Sequence, residues 1–296
     1  MRSLLFVPAD SPRKFAKAMQ GEADALILDL EDSIAAAHKP AARESATDFL
    51  REWRSAPRAA TILVRINALD TGLADADLDA VMRARPDGIM LPKAESGADV
   101  QQLGAKLAVR EAENDLPDGS TFILPIVTET ARAMFGLGSY AGASRRTRAL
   151  TWGAEDLSAS LGSEVNRLPD GGYAPPFALA RNMMLFAAAA TGVDAIDTIF
   201  GNFRDSAALR AECEAARRDG FAGKMAIHPD QVAIINETFT PAQKAIDEAR
   251  AVIAAFAANP DAGVVSIDGA MYDRPHLLRA ERVVRRDYHL GGIGGG

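Results

Sequence analysis

The sequence predicts an α/β fold, a closed (β/α)8 TIM barrel followed by a C-terminal helical and lid segment. Short β-rich runs alternate with longer helical patterns eight times within about 240 residues. The β-rich runs are apolar almost throughout, which is typical of parallel strands buried on both faces. The alternative is an open doubly wound sheet. No strand here is followed by a G-x-G-x-x-G turn or a G-x-x-x-x-G-K-[ST] loop, the usual nucleotide-binding signatures of that fold.

The eight predicted strand–helix pairs follow one another from the N-terminus. In chain order they are "SLLFVPA" with "SPRKFAKAM", "DALILDLED" with "PAARESATDFLREW", "TILVRIN" with "ADLDAVMRA", "DGIMLPKAE" with "ADVQQLGAKLAVREAE", "TFILPIVTE" with "TARAMFGLG", "RALTWGAED" with "PFALARNMMLFAAAA", "VDAIDTIF" with "DSAALRAECEAARR", and "GKMAIHP" with "DQVAIINETF". A complete set of eight is the number that a closed barrel needs.

The pattern changes after residue 240. Residues 241–259 predict one further amphipathic helix, residues 264–273 a short hairpin or loop, and residues 274–288 another helix. We therefore expect a barrel domain over 1–240 and a C-terminal helix and lid segment over 241–290. The glycine-rich end, 291–296, has little to bury and is expected to be a flexible tail.

The composition is typical of a globular enzyme. Hydrophobic residues make up 48% and charged residues 25% of the 296 residues, which argues against a disordered or fibrous protein. The net charge of -7 removes the driving force for non-specific nucleic-acid binding. Cys213 is the single cysteine, so neither a disulfide within the chain nor a thiolate zinc site is expected. Because no signal-peptide or membrane-spanning pattern is found, we expect a cytoplasmic protein with neither a membrane nor nucleic acid as a partner.

Charged and polar side chains follow the predicted strands at their carboxyl ends, whereas the amino-terminal ends are mainly apolar. In a barrel these carboxyl ends converge on one face, where active sites of this architecture lie. Solvated loop residues would explain any one of them, but their repetition from strand to strand favours one shared site. These residues are Asp29, Glu31, Asp32, Arg65, Asn67, Lys93, Glu95, Glu129, Glu155 and Asp156.

Glu129 and Asp156 follow neighbouring strands and predict a magnesium site. Mg²⁺ prefers oxygen ligands, keeps several waters and often takes one or two carboxylates plus substrate oxygens. Zinc and histidine-bound iron are disfavoured because the 4 histidines form no H-x-x-x-H pair. We expect His228, at the end of the eighth strand, to orient or pack against other groups rather than to bind a metal.

Arg65 and Lys93 bring positive charge to the same face. The planar guanidinium of Arg65 suits a substrate carboxylate, and a salt bridge to Glu31 or Asp32 explains this arginine equally well. Lys93 could form a Schiff base with a carbonyl substrate if its pKa were lowered. The surrounding carboxylates are expected to keep its ammonium protonated instead, so we interpret Lys93 as a structural or minor electrostatic residue.

Several sequence blocks resemble the citrate lyase β-subunit-like family, which includes malyl-CoA and citramalyl-CoA lyases. The likeness spans nearly the whole chain, and the blocks fall in the order that the family has. They are "LFVPA", "LILDLEDSI", "LVRIN", "GIMLPKAE", "IVTETA", "WGAEDLSASLG", "GFAGKMAIHPDQ", "INETFTP" and "DGAMYDRPHLLRA".

The resemblance implies a magnesium-dependent barrel that cleaves a carbon–carbon bond by retro-Claisen or retro-aldol chemistry. The family's metal-binding glutamate and aspartate match Glu129 in "TETA" and Asp156 in "GAEDL", and its substrate-binding arginine matches Arg65 in "VRIN". Its catalytic acid/base aspartate, which the C-terminal segment of an adjacent subunit delivers, matches Asp273. Asp273 also suits the N-cap of the helix that begins with "RPHLL".

The resemblance is incomplete near the N-terminus. The family's glycine after "VP" is replaced by Ala9, and the loop that follows is "DSPRK". Arg13 and Lys14 in this loop are the candidates for binding CoA. The loop "SEVNRLPDGGYAPP" after Asp156 is placed to select a substrate, and the acyl group that it prefers stays open.

We therefore expect a magnesium-dependent lyase that cleaves a short 3-hydroxyacyl-CoA, such as malyl-CoA or citramalyl-CoA, to acetyl-CoA and a 2-oxo acid. Arg65 and Asp273 would be the catalytic residues, Arg65 and Glu129 would bind the substrate, and Asp273 would act across the interface of a homotrimer or hexamer. The alternatives are the citryl-cleaving β subunit of a citrate lyase complex, a thioesterase that hydrolyses malyl-CoA, and a carboxylate-binding or scaffold protein without turnover.

Overall fold

The structure, a computed structural model, describes residues 1–55 and 60–291, with side chains described up to residue 287. Eight parallel strands form one sheet in the order β5-β4-β3-β2-β1-β8-β7-β6. The strands are β1 (Ser3–Pro8), β2 (Ala25–Asp29), β3 (Thr61–Arg65), β4 (Gly88–Leu91), β5 (Phe122–Pro125), β6 (Ala149–Thr151), β7 (Asp194–Asp197) and β8 (Gly223–Ala226).

The two outer strands of this order, β5 and β6, meet and close the sheet. Parallel bridges join Ile123 to Thr147 and Ile126 to Thr151. The amide of Val127 donates a 2.9 Å hydrogen bond to the carbonyl of Thr151. The predicted (β/α)8 barrel is therefore confirmed.

Burial on both faces explains why the strands are apolar at consecutive positions. Ile27 and Leu63 belong to the cluster inside the barrel, together with Ile196. Their strand neighbours Leu26 and Val64 point the other way, toward the helices, and are also buried. A strand that alternates between apolar and polar residues could not satisfy both environments.

Helices follow the strands along the chain, and two of them differ from the prediction. The pattern over 130–138 forms only the short helix α5 and the 3₁₀ turn Leu137–Tyr140, and an additional short helix, α6, follows β6. The helices are α1 (Pro12–Met19), α2 (Lys39–Ser55), α3 (Ala74–Val81), α4 (Gly97–Glu113), α5 (Ala133–Gly136), α6 (Glu155–Leu161), α7 (Pro175–Thr191), α8 (Ser206–Asp219), α9 (Pro229–Phe239), α10 (Gln243–Ala258) and α11 (Arg274–Gly291).

The chain divides into two compact units between Asn236 and Glu237. In the second unit, β9 (Val264–Ile267) and β10 (Ala270–Asp273) form the expected antiparallel hairpin. Its turn residues Asp268 and Gly269 have φ of 50° and 82°, which suits a tight two-residue turn. Phe256 of α10 is part of a small apolar core of this unit.

The assignment of residues 1–240 and 241–290 to two domains stays a prediction. Gly291, expected to belong to the tail, is the last residue of α11, and the rest of the expected tail, 292–296, lies outside the described residues. None of the helices in the described part of the chain combines the length and hydropathy needed to cross a bilayer.

Candidate active site

A cavity of about 550 Å³ lies at the carboxyl ends of the barrel strands. Its lining includes Ile126 and Met225 from the apolar cluster inside the barrel. Six of the predicted strand-end residues line this one cavity together: Asp29, Asp32, Arg65, Glu129, Glu155 and Asp156.

Arg65 is held by two acidic residues. Its Nε and Nη2 each donate a 2.7 Å hydrogen bond to one oxygen of Asp29, and its Nη1 lies 2.9 Å from Glu31 Oε2. Burial would favour the neutral guanidine, but these carboxylates hold the pKa of Arg65 above its ordinary value. The predicted salt bridge to Glu31 is therefore present. The partner that accepts two hydrogen bonds from Arg65 is Asp29. The sequence analysis predicted Asp29 at the carboxyl ends of the strands but did not pair it with Arg65.

Glu31 lies between the side chains of Arg65 and Lys93 and contacts both. One of its oxygens faces Arg65, and the other accepts a hydrogen bond from Lys93 Nζ. Its side chain is only 6% exposed, and burial raises its pKa, although the two cations counteract part of this effect. Glu31 therefore links the guanidinium and the ammonium into one charge network.

Lys93 contacts several carboxylates and stays protonated. Besides Glu31, its Nζ lies 3.4 Å from Asp32 Oδ2 and 3.2 Å from Asp156 Oδ1. Desolvation alone would lower the pKa of Lys93, but these partners raise it above its ordinary value. These contacts agree with the expectation that carboxylates keep this lysine charged, and a charged ammonium is a poor nucleophile for Schiff-base formation.

Glu129 is a nearly buried carboxylate, 4% exposed, that lines the cavity. Its Oε2 accepts a 2.6 Å hydrogen bond from the backbone amide of Lys93. Burial is the main cause that raises the pKa of Glu129 to about 8, and the negative charge of Asp156 is the second. The hydrogen bond from Lys93 acts in the opposite direction and lowers this pKa. Gly153 leaves the space for this side chain, because a Cβ there would lie 2.8 Å from Glu129 Cγ.

Asp156 meets Glu129 in the cavity from the first turn of α6, with its side chain 32% exposed. After burial, the negative charge of Asp156 is the next cause of the raised pKa of Glu129. A divalent cation between the two side chains would offset that charge. Among the described residues no three or more His, Cys, Asp and Glu side chains are grouped as metal ligands. The two carboxylate side chains of Glu129 and Asp156 fit an ion such as Mg²⁺, which often takes one or two carboxylates and completes its shell with water and substrate oxygens.

The candidate CoA-binding residues lie on α1, which begins at Pro12. Lys14 lines the cavity, whereas Arg13 is exposed on the same helix and does not line it. Lys17, one turn further along, lines the cavity as well. Lys17 was missed by the sequence analysis, although a spacing of three residues places it beside Lys14 on a helix.

His228 lines the cavity beyond β8. Its ring stacks on Phe203 with a centroid separation of 4.5 Å, and its backbone amide donates a 3.1 Å hydrogen bond to the side chain of Gln231. These contacts agree with the expected orienting or packing role.

Asp273 belongs to the second compact unit, where it ends β10 immediately before α11. Its Oδ1 accepts a 3.3 Å hydrogen bond from the amide of His276, the third residue of the helix, and also contacts the His276 ring. The bond to His276 lowers the pKa of Asp273. The N-capping role expected from the sequence is therefore confirmed, and the side chain remains 50% exposed.

A second buried charge network supports the end of β6 and was missed by the sequence analysis. Lys224 Nζ lies 2.7 Å from both Asp197 Oδ2 and Glu212 Oε1, and Asp197 Oδ1 accepts a 2.8 Å hydrogen bond from Trp152 Nε1. Glu212 also pairs with Arg167 at 2.8 Å, in the loop after α6. Charged residues within the predicted strands "DAID" and "GKMA" were the available signal, because a buried charge requires a partner.

Comparison with known proteins gives two family matches. Residues 2–229 match the HpcH/HpaI aldolase/citrate lyase family, and residues 179–291 match a family of carbon–carbon bond lyases of the TIM-barrel fold. The chain is 34% identical over 288 residues to a citrate lyase subunit beta of Leuconostoc mesenteroides subsp. cremoris, covering 96% of this chain and 92% of that protein.

Two further relatives are informative. A (3S)-malyl-CoA thioesterase of Cereibacter sphaeroides is 34% identical over 293 residues, covering 96% of this chain and 94% of the relative. The crystal structure of CitE from Mycobacterium tuberculosis in complex with magnesium, acetoacetate and coenzyme A is 35% identical, with a TM-score of 0.74 over 96% of this chain and 97% of that one. The chain therefore belongs to the HpcH/HpaI aldolase/citrate lyase family.

Proposed function

We propose that this protein is a magnesium-dependent carbon–carbon lyase that cleaves a short 3-hydroxyacyl-CoA thioester, of the malyl-CoA or citramalyl-CoA type, to acetyl-CoA and a 2-oxo acid. The observation that carries the proposal is the meeting of Glu129 and Asp156 beside Arg65 in one cavity at the carboxyl ends of the strands. This is the donor set for a hard divalent cation next to a donor for a substrate carboxylate.

Glu129 and Asp156 would hold Mg²⁺, and their position in the wall of one cavity supports this assignment. When bound, the ion supplies Lewis-acid polarisation of the substrate oxygen that becomes the product carbonyl. The magnesium in the related CitE structure is consistent with the same cofactor here.

Arg65 would bind the carboxylate of the hydroxy-acid portion. Asp29 and Glu31 hold its guanidinium in place before substrate arrives, so little rearrangement is needed on binding. In the proposed reaction the substrate hydroxyl loses its proton, its carbon becomes a carbonyl, and the carbon–carbon bond breaks. The bonding electrons pass to the thioester enolate, which then takes a proton at carbon.

Asp273 would carry out the proton transfers as an acid/base residue delivered by a neighbouring copy in a homotrimer or hexamer. The family resemblance supports this role, and the half-exposed carboxylate of Asp273 is accessible for it. Closure of the C-terminal segment of that neighbouring copy would exclude water that could hydrolyse the thioester.

Lys14 and Lys17, with Arg13 on the same helix, would attract the phosphates of CoA to the mouth of the cavity. The net charge of -7 makes such a local positive rim more significant for an anionic substrate. We assign the activity to the cytoplasm, because a single buried cysteine suits a reducing compartment.

Two other activities are alternatives to the proposed lyase reaction at this site. Relatives named citrate lyase subunit beta and (3S)-malyl-CoA thioesterase are each 34% identical to this chain, so identity does not separate the activities. The first would act on a thioester of an acyl-carrier protein within a multi-chain complex. The second would hydrolyse the thioester and leave the carbon–carbon bond intact.

A product-resolved assay distinguishes these activities. Metal-stripped protein is supplied with malyl-CoA, citramalyl-CoA and related esters, with and without Mg²⁺, and the products are separated by chromatography. We expect acetyl-CoA and a 2-oxo acid only when Mg²⁺ is present. Free CoA with malate would select the thioesterase, and the absence of turnover of every free CoA ester would count against the proposed lyase.

A further inference from the structure

We propose that Lys93 is a built-in counter-ion of the metal site, whose ammonium competes with the divalent cation for Asp156. The inference rests on the proposed function, because it takes Glu129 and Asp156 as the metal ligands. It goes further by assigning to Lys93 a role in setting the affinity for the metal.

Lys93 contacts both carboxylates through two different groups. Its backbone amide donates a 2.6 Å hydrogen bond to Glu129 Oε2, and its ammonium lies 3.2 Å from Asp156 Oδ1. The residue has a φ of 52°, in the left-handed region that non-glycine residues rarely adopt. With this backbone conformation, the amide of Lys93 contacts Glu129 while its side chain contacts Asp156.

The ammonium has an alternative anchor that does not involve the metal ligands. Glu31, 6% exposed, accepts a hydrogen bond from Lys93 Nζ and is itself fixed by Arg65. Asp32 lies 3.4 Å from the same nitrogen. The ammonium can therefore give up Asp156 when a divalent cation enters and still remain paired with Glu31 and Asp32.

The consequence for affinity follows from the charges. A positive charge 3.2 Å from Asp156 cancels part of the negative potential that attracts a cation to this site. The same ammonium repels an incoming Mg²⁺. Magnesium should therefore bind the free protein more weakly than the two carboxylates alone would allow, and the negative charge of a bound substrate should offset this effect.

The test is calorimetric titration of Mg²⁺ into metal-stripped wild type and into Lys93→Met, without substrate. We expect the Mg²⁺ dissociation constant of the variant to fall by roughly tenfold, because a competing unit charge has been removed. Lys93→Gln, which keeps a polar side chain without the charge, should show the same tightening. Lys93→Arg, which keeps the charge, should stay close to wild type. Circular dichroism and a thermal melt establish that each variant is folded.

Lys106→Met is the matched control, because Lys106 pairs at 2.8 Å with Asp75 on the surface of the barrel and removing it changes the net charge by the same amount. Its affinity for Mg²⁺ should equal that of wild type. An unchanged or weaker affinity in folded Lys93→Met and Lys93→Gln would overturn the counter-ion role while leaving the proposed lyase intact. Failure of wild type to bind Mg²⁺ at all would overturn both.

Discussion

The Arg65 guanidinium and the Asp29 carboxylate form two parallel hydrogen bonds of 2.7 Å each. The two residues are register partners on β3 and β2, and the side chain of Asp29 is only 3% exposed. The site therefore contains an arginine whose orientation is fixed by the fold. Because both oxygens of Asp29 accept hydrogen bonds from Arg65, we interpret Asp29 as a positioning residue.

Asp29→Asn should weaken binding of an anionic substrate while leaving the arginine in the chain. The replacement keeps the size of the side chain and removes the charge that orients the guanidinium, so we expect KM to rise by roughly tenfold. The free energy of unfolding should fall by about 3 kcal/mol, because Arg65 would lose the charge of its bidentate partner and keep only its ion pair with Glu31. Steady-state kinetics and urea unfolding measure the two effects.

The control for this variant is Asp48→Asn, which breaks the exposed ion pair between Asp48 and Arg51. Exposed pairs contribute little to stability, so neither KM nor stability should change measurably. A wild-type KM in folded Asp29→Asn would show that Asp29 does not position Arg65 for substrate.

Gly153→Ala should disturb the proposed metal site through a steric contact. The added Cβ would lie 2.8 Å from Glu129 Cγ and 3.0 Å from Glu129 Oε1, so the carboxylate must move. We expect the Mg²⁺ dissociation constant to rise by roughly tenfold, within the range of about 1–3 kcal/mol that overpacking costs. Gly138→Ala is the control, because nothing lies within 4 Å of its added Cβ. Equal affinities in the two variants would contradict the placement of Glu129.

Asp197→Asn should destabilise the fold through the network behind β6. Burial would raise the pKa of Asp197, but Lys224 and Arg181 hold it below its ordinary value. Asp197 is 0% exposed, so the loss of its charge leaves the buried Lys224 without full compensation, at a cost of about 3–5 kcal/mol. Chemical unfolding at neutral pH measures this difference.

The pH dependence of the same variant has a defined sign. A carboxylate with a lowered pKa in the folded state stabilises the protein above its unfolded pKa of about 3.9, and this contribution is lost as the pH falls through the folded value. The stability gap between wild type and Asp197→Asn should therefore narrow on acidification below about pH 4. A gap that widens there would contradict the assignment of Asp197 as the ionised partner.

Cys213 should be unreactive in the folded protein. The thiol is 0% exposed, and burial raises its pKa to about 12, so the nucleophilic thiolate is almost absent at pH 8. A chromogenic disulfide reagent should report no reaction under native conditions and one thiol per chain in denaturant. Rapid stoichiometric labelling of the native protein would show that this part of α8 opens readily.

The barrel could be predicted because its pattern is local and repeated. Consecutive apolar residues such as Ile27 and Leu28 indicate a strand that is buried on both faces. Eight such runs leave few folds other than a closed barrel. The short helix α6 was missed because seven residues are too few for a helical period to be recognised.

The convergence of Glu129 and Asp156 could be predicted because parallel strands end at the same edge. The pairing of Arg65 with Asp29 could not, because it depends on the register between β2 and β3, which no local pattern specifies. The same limit applies to Lys224. The sequence shows a charge inside an apolar strand, but its partners Asp197 and Glu212 are brought to it only by the tertiary fold.

Anomalous diffraction from crystals soaked in Mn²⁺, which accepts the same oxygen ligands as Mg²⁺, tests the central claim most directly. We predict one strong peak within coordination distance of both Glu129 and Asp156, on the side of the cavity that Arg65 faces. A peak bound elsewhere while these two carboxylates contact no ion, or no peak at saturating Mn²⁺, would contradict the account.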